Sequence, residues 1–165
     1  MARYILLDLN YTLAENSNEV MVGQGRYNVK AEKYRRWLVD LLRDNPDVER
    51  VILITARTDN YEAATLRQIA AQCDGWQPDE QHFKPLRYRY MKAHDWKQKV
   101  MAERVFPEYG MDADYLALES NANTRAMYAR FGIPVVKVHP DDHWEVLPNP
   151  GKPNNGQAIM QPKLL

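Results

Sequence analysis

Arg3-Tyr-Ile-Leu-Leu-Asp-Leu9 is a short apolar run that ends in an acid. It reads as a buried strand that delivers one side chain at its carboxyl end. Val51-Ile-Leu-Ile54, Tyr115-Leu-Ala-Leu118 and Val135-Val-Lys-Val138 read the same way. Between them the period changes. Over residues 29–43, Tyr34, Trp37, Leu38, Leu41 and Leu42 fall at i, i+3, i+4 spacing, which predicts an amphipathic helix stopped by Asn45-Pro46. Further helices are expected over 58–72, 95–106 and 121–131, the last stopped by Gly132 and Pro134. Residues 10–28 are polar and Gly-bearing and read as a loop or small hairpin flap. Residues 73–93 read as loop-rich, with a short strand around 83–88.

Strands that alternate with helices predict an α/β fold: a Rossmann-like three-layer sandwich around a mostly parallel sheet. In such sheets ligands bind at the carboxyl ends of the strands. That rule brings Asp8, Thr55 and Glu119 together, because each stands just past a strand. The 165 residues suit one domain, expected over 1–144, with a Pro-, Asn- and Gly-rich extended tail over 145–165. Lysine plus arginine number 22 and aspartate plus glutamate 22, so net charge gives no global pull toward nucleic acid. Cys73 is the single cysteine, which excludes an internal disulfide and a Cys-based zinc site. The opening residues do not read as a secretory signal, and no apolar stretch approaches the ~20 residues of a membrane span. A soluble, cytoplasmic protein is the expectation.

The candidate chemistry is an ordered set. Asp8 is followed by a turn with Asn10 and Thr12, and by itself would equally suit a capping aspartate. Thr55-Ala-Arg57 sets a hydroxyl and a guanidinium beside it, both donors to an oxyanion. In Asp95-Trp-Lys-Gln-Lys99, Lys99 is expected in the site, with Lys97 its near neighbour; a lysine there would neutralise phosphate and hold the nucleophile anionic. Glu119 offers a second hard oxygen donor, the kind Mg²⁺ prefers. Acid, threonine, lysine, acid, each at a strand end or helix start, form a coherent phosphoryl-transfer site.

The segment Ile5-Leu-Leu-Asp-Leu-Asn-Tyr-Thr-Leu13 resembles the first motif of the haloacid dehalogenase superfamily, with Thr55, Lys99 and Glu119 similar to its second, third and fourth. Within that superfamily the chain is most similar to the 3′-phosphatase domain of bacteriophage polynucleotide kinase, through Thr55-Ala-Arg57, the Asp95–Lys99 approach and Thr124-Arg-Ala-Met-Tyr-Ala-Arg-Phe-Gly132. The resemblance implies a phosphatase without a large cap domain. Asp8 would be the nucleophile, and Asp8, the Asn10 carbonyl and Glu119 would bind Mg²⁺. Thr55 and Lys99 would hold the phosphoryl oxygens, with Thr12 and Arg57 assisting.

Two departures stand out: the family's second acid of the first motif is Asn10, and that of the fourth is Ser120. An amide cannot act as a general acid or base, so the resemblance implies an impaired or substrate-trapping site. The alternatives are a binding protein with a vestigial site, a small-molecule phosphatase, and dehalogenase chemistry, which Asn10 and Glu119-Ser-Asn121 also resemble. The implied substrate is a single-stranded nucleic-acid 3′-phosphate end or a nucleotide, approached past Arg87, Tyr88 and Arg89. His139-Pro-Asp-Asp-His143 reads as a polar turn in preference to a metal site.

Overall fold

A computed structural model describes residues 3–139 and the strand Trp144–Val146. Five strands, β1 (Arg3–Leu7), β2 (Val48–Thr58), β3 (Glu80–Lys84), β4 (Asp114–Leu118) and β5 (Val135–Val138), pair in parallel, and β6 (Trp144–Val146) joins β5 antiparallel. The order is β3-β2-β1-β4-β5-β6. Chain order reverses on either side of β1, so the carboxyl ends of β1 and β4 flank the switch point where such sheets bind ligands.

The helices are α1 (Ser17–Val20), α2 (Arg36–Asp44), α3 (Glu62–Gln72), α4 (Ala93–Val100), α5 (Phe106–Tyr109) and α6 (Ala122–Arg130). They form two outer layers. Ile5, Leu7 and Leu53 face one core with Leu38, Leu42 and Ile69 of α2 and α3. Leu6, Ile52 and Ile54 face the other, with Trp96, Val100, Met127 and Tyr128 of α4 and α6. Alternation along β1 and β2 sends successive residues to opposite faces, and both faces are covered. This explains why the strands read as continuous apolar runs. Asn121 caps α6 by accepting a hydrogen bond from the Thr124 N–H at 3.1 Å.

Several boundaries differ from expectation. The helix expected from residue 29 starts at Arg36, after a short turn over Val29–Ala31. The intervening residues serve tertiary contacts: the Arg35 guanidinium donates to the carbonyls of Thr12 and Ala14, and Tyr34 bridges Ala14. The flap holds a small hairpin, Met21 opposite Tyr27, plus the short α1. The strand expected around 83–88 is β3, which ends at Lys84; β6 straddles the expected boundary between domain and tail. Residues 147–165, most of that tail, and His143 lie outside the described residues. No helix among the described residues is long and apolar enough to cross a membrane.

Candidate active site

Asp8 follows β1 directly, and its N–H donates to the Leu118 carbonyl of β4 at 3.0 Å, which anchors it across the switch point. The chain then makes a tight turn over Leu9–Leu13, closed by Leu13 N–H to the Asp8 carbonyl at 3.3 Å and Ala14 N–H to the Leu9 carbonyl at 2.9 Å. Tyr11 sits at φ 61°, a left-handed conformation costly for a non-glycine residue. The Ser17 hydroxyl holds it there, accepting from the Tyr11 N–H at 2.7 Å. The turn folds Thr12 back, so its hydroxyl donates to Asp8 Oδ2 at 2.9 Å. Ser120 lies opposite, with its Oγ 3.0 Å from Asp8 Oδ2 and 3.1 Å from the Asn10 carbonyl oxygen.

The lysine in the site is Lys97, not Lys99. Lys97 is buried on α4 and donates to Asp8 Oδ1 at 2.8 Å and Glu119 Oε2 at 2.6 Å. Lys99, two residues on, is turned about 200° around the helix. It pairs instead with exposed Glu103 at 2.6 Å and lies over the Tyr88 ring. The sequence held the signal for this. Trp96, Lys97, Val100 and Met101 are the buried positions, an inward stripe on which 97 falls and 99 does not.

Glu119 completes a buried acid–lysine–acid bridge, its other oxygen accepting from the Asn121 N–H at 3.0 Å. Burial and then the Asp8 carboxylate raise its pKa from 4.5 to about 8, against the pull of Lys97. Burial draws the Lys97 ammonium downward, but Asp8 and Glu119 outweigh it and hold the lysine charged. One cation thus serves two acids, and the shift of Glu119 toward its neutral form reflects that shortage.

Thr55 and Arg57 end β2. The Thr55 hydroxyl oxygen accepts from the Arg57 N–H at 3.1 Å, and the Trp96 indole N–H donates to the Thr55 carbonyl at 2.9 Å, fixing α4 to this strand end. Arg57 is fully buried rather than open to ligand. Its guanidinium pairs with buried Glu32 through both nitrogens and donates to Thr65 Oγ1 at 2.9 Å. It also donates to Asn10 Oδ1 at 2.9 Å, and it stacks over the Tyr27 ring at 4.5 Å. Arg57 therefore positions Asn10. Glu32, brought in from the segment between turn and helix, had no local signal in the sequence. Arg87 and Arg89 stand outside this cluster, past β3, stacked on Tyr88 at 4.8 Å and Tyr90 at 4.6 Å.

The oxygen set suits Mg²⁺. Asp8 Oδ2 and the Asn10 carbonyl meet at the Ser120 hydroxyl, so three hard oxygens converge, and Glu119 is linked to Asp8 through Lys97. No group of three or more His, Cys, Asp or Glu suited to a metal exists among the described residues. An ion held by one or two carboxylates, a carbonyl and water is the usual Mg²⁺ arrangement.

Fold and site together define a doubly wound α/β protein with a buried acid–lysine–acid cluster at its switch point. No family model matches the chain. No curated protein matches it. Among solved structures it is similar to a chain of the Pnkp1/Rnl/Hen1 RNA repair complex, at TM-score 0.64 and 18% identity over 84% of this chain. A second structure of the Pnkp1/Rnl/Hen1 complex gives TM-score 0.65 at 18% identity, again over 84% of this chain. The chain spans less than half the length of either relative, 43% and 46%. At that identity the likeness is one of fold.

Proposed function

We propose that the chain is a Mg²⁺-dependent phosphomonoesterase of the haloacid dehalogenase type, acting on a nucleotide or a nucleic-acid 3′-phosphate end. The observation that carries this reading is the grip on Asp8: a carboxylate at the switch point, one oxygen on the Lys97 ammonium and the other on two hydroxyls. The Lys97 ammonium fixes one Asp8 oxygen at 2.8 Å and orients the group for attack. The likeness of fold to a chain of an RNA repair complex supports a nucleic-acid-related role.

Asp8 attacks phosphorus through one carboxylate oxygen; the P–O bond to the leaving alcohol breaks and an aspartyl-phosphate forms. The Thr55 hydroxyl, whose proton has no acceptor among the described residues, donates to a phosphoryl oxygen. Asp8, the Asn10 carbonyl, Ser120 and Glu119 would hold Mg²⁺, which supplies charge stabilisation of the phosphoryl oxygens when bound. Water then splits the acyl-phosphate. Asn10 cannot give the leaving oxygen a proton or take one from that water, so both steps run without general acid–base help.

A second reading, a phosphoester-binding protein without turnover, is favoured by the Asn10 amide itself, locked on Arg57 where an acid would be needed. Phosphate release from an aryl phosphate, measured for the wild type, Asp8→Asn and Asn10→Asp, decides between them. The enzyme reading expects release by wild type and Asn10→Asp and none by Asp8→Asn. Release by none of the three favours binding.

A further inference from the structure

Beside the catalytic strand end lies a cavity of about 550 Å³ that the reaction as described does not use. Tyr27, Tyr61 and Tyr90 are in its wall, with Lys84, Arg89 and Asn60. Its lining contains no acid. Two other cavities do contain acids: one holds Asp59, Glu62 and Glu103, the other Glu15 and Glu19. Three aromatic rings with two cations and no carboxylate suit a ligand that is flat, aromatic and anionic.

The cavity is joined to the site by contact. Arg57 holds Asn10 at 2.9 Å on one side and covers the Tyr27 ring at 4.5 Å on the other, and Tyr27 meets the Tyr61 ring edge-on at 5.3 Å. Ala56 and Thr58, from the same strand end as Thr55, form part of the wall. The polar groups are available. Asn60 Oδ1 accepts from the Thr58 hydroxyl at 2.5 Å, which points its amide N–H₂ elsewhere, and that amide has no acceptor among the described residues. Lys84 is buried with Nζ on the Met91 carbonyl at 3.0 Å, a fixed cation in the wall. Arg89 lies over the Tyr90 ring, and Tyr90 is 87% exposed, which leaves most of the ring open to a ligand.

We infer that this cavity is the nucleobase subsite: the base of the terminal nucleotide stacks against Tyr61 and Tyr90, Asn60 donates to its edge, and the sugar runs past Ala56 at the strand end to put the phosphate at Asp8. The inference rests on the phosphomonoesterase reading for the placement of the phosphate. It adds the recognition element and its residues, all of them outside the catalytic cluster. A base of any identity can stack, so the subsite selects nucleotides over other phosphate esters without strong sequence preference.

The test is equilibrium binding to the full chain in Mg²⁺, which needs no turnover, with adenosine 3′-phosphate and glycerol phosphate as probes. The expected result is at least about tenfold tighter binding of the nucleotide, given the usual strength of base–aromatic stacking. Tyr90→Ala and Arg89→Ala should each remove most of that advantage and leave glycerol phosphate affinity unchanged, which also shows that the variants are folded. A single-stranded oligonucleotide ending in the same phosphate, run alongside, tells a chain end from a free nucleotide by which binds tighter. Equal affinity for the two small probes, or variants that weaken both alike, overturns the subsite. Failure of the phosphatase reading registers separately, as no phosphate release from an aryl phosphate. Nucleotide binding that depends on Tyr90 yet is no tighter for adenosine 3′-phosphate than for adenosine overturns the link to Asp8.

Discussion

Lys97 Nζ stands 2.8 Å from Asp8 Oδ1, whereas Lys99, on the same helix, pairs with Glu103 on the surface. The two lysines should therefore behave oppositely. Lys97→Met leaves Asp8 and Glu119 buried without a cation, and breaking such an arrangement costs about 3–5 kcal/mol. Denaturant unfolding should show that loss and activity should vanish. Lys99→Ala should leave both the unfolding midpoint and activity at wild-type values, because a solvated surface pair contributes little.

In the proposed mechanism, position 10 limits the rate. Asn10→Asp restores a group able to protonate a leaving oxygen and to activate water. General acid–base help is worth about 10²–10⁴-fold. Turnover of an alkyl phosphate, a poor leaving group, should rise within that range, and an aryl phosphate should gain less. Equal, small changes for both esters would show that proton transfer is not what the site lacks.

Glu32 and Arg57 form a buried pair whose second task is to hold Asn10. Glu32→Gln strands the Arg57 charge and should cost about 3–5 kcal/mol, while Glu32→Gln combined with Arg57→Met should recover much of it, since an apolar replacement of a buried pair is often neutral. The double-mutant cycle by urea unfolding reads this directly. The double variant, stable but without its grip on Asn10, should be slower than wild type.

Ser120 supplies a hydroxyl where a carboxylate would sit well. Ser120→Asp adds a charged oxygen beside Asp8 Oδ2 and the Asn10 carbonyl. Mg²⁺ binding, followed by calorimetry, should tighten in this variant, because affinity rises with ligand charge. Unchanged affinity would place the ion elsewhere.

Sheet and site were unequally legible. The apolar runs fixed four of the five parallel strands, because strands buried on both faces need continuous apolar sequence. β3 was harder: Glu80-Gln-His-Phe-Lys84 is an edge strand with only Phe83 and Lys84 buried. Asp8, Thr55 and Glu119 were readable because the strand-end rule is local. Lys97 was within reach from the inward stripe of its helix. The Glu32–Arg57–Asn10 chain was not, since it joins residues 25 and 47 positions apart and no periodicity encodes such a contact.

The tyrosines give an alkaline limit. Burial, with Tyr4 and Tyr109 nearby, raises Tyr115 from 10.0 to about 12, and its O–H donates to the Gly110 carbonyl at 2.6 Å. Tyr34 is shifted in the same direction by burial and by Glu32. A folded-state pKa above the unfolded value stabilises the fold below the unfolded pKa, and that stability is lost as pH rises. Stability should hold to about pH 10 and fall between 10 and 12 as these phenols ionise, and in urea unfolding across that range the fall should be smaller for Tyr115→Phe than for wild type. An equal fall in Tyr115→Phe would contradict the buried placement of that phenol.

The proposed role of Asp8 as covalent nucleophile, with an amide at position 10, carries a kinetic signature. Attack on an aryl phosphate needs little help, because the leaving group is good, but hydrolysis of the aspartyl-phosphate lacks a base. Rapid mixing with an aryl phosphate and Mg²⁺, quenched and analysed by peptide mass mapping, measures both. The expected result is a burst of one phenol per chain, with a phosphoryl adduct on the peptide that contains Asp8, a burst absent in Asp8→Asn. Steady phosphate release with no burst and no adduct, or an adduct on any other residue, would contradict the assignment of Asp8.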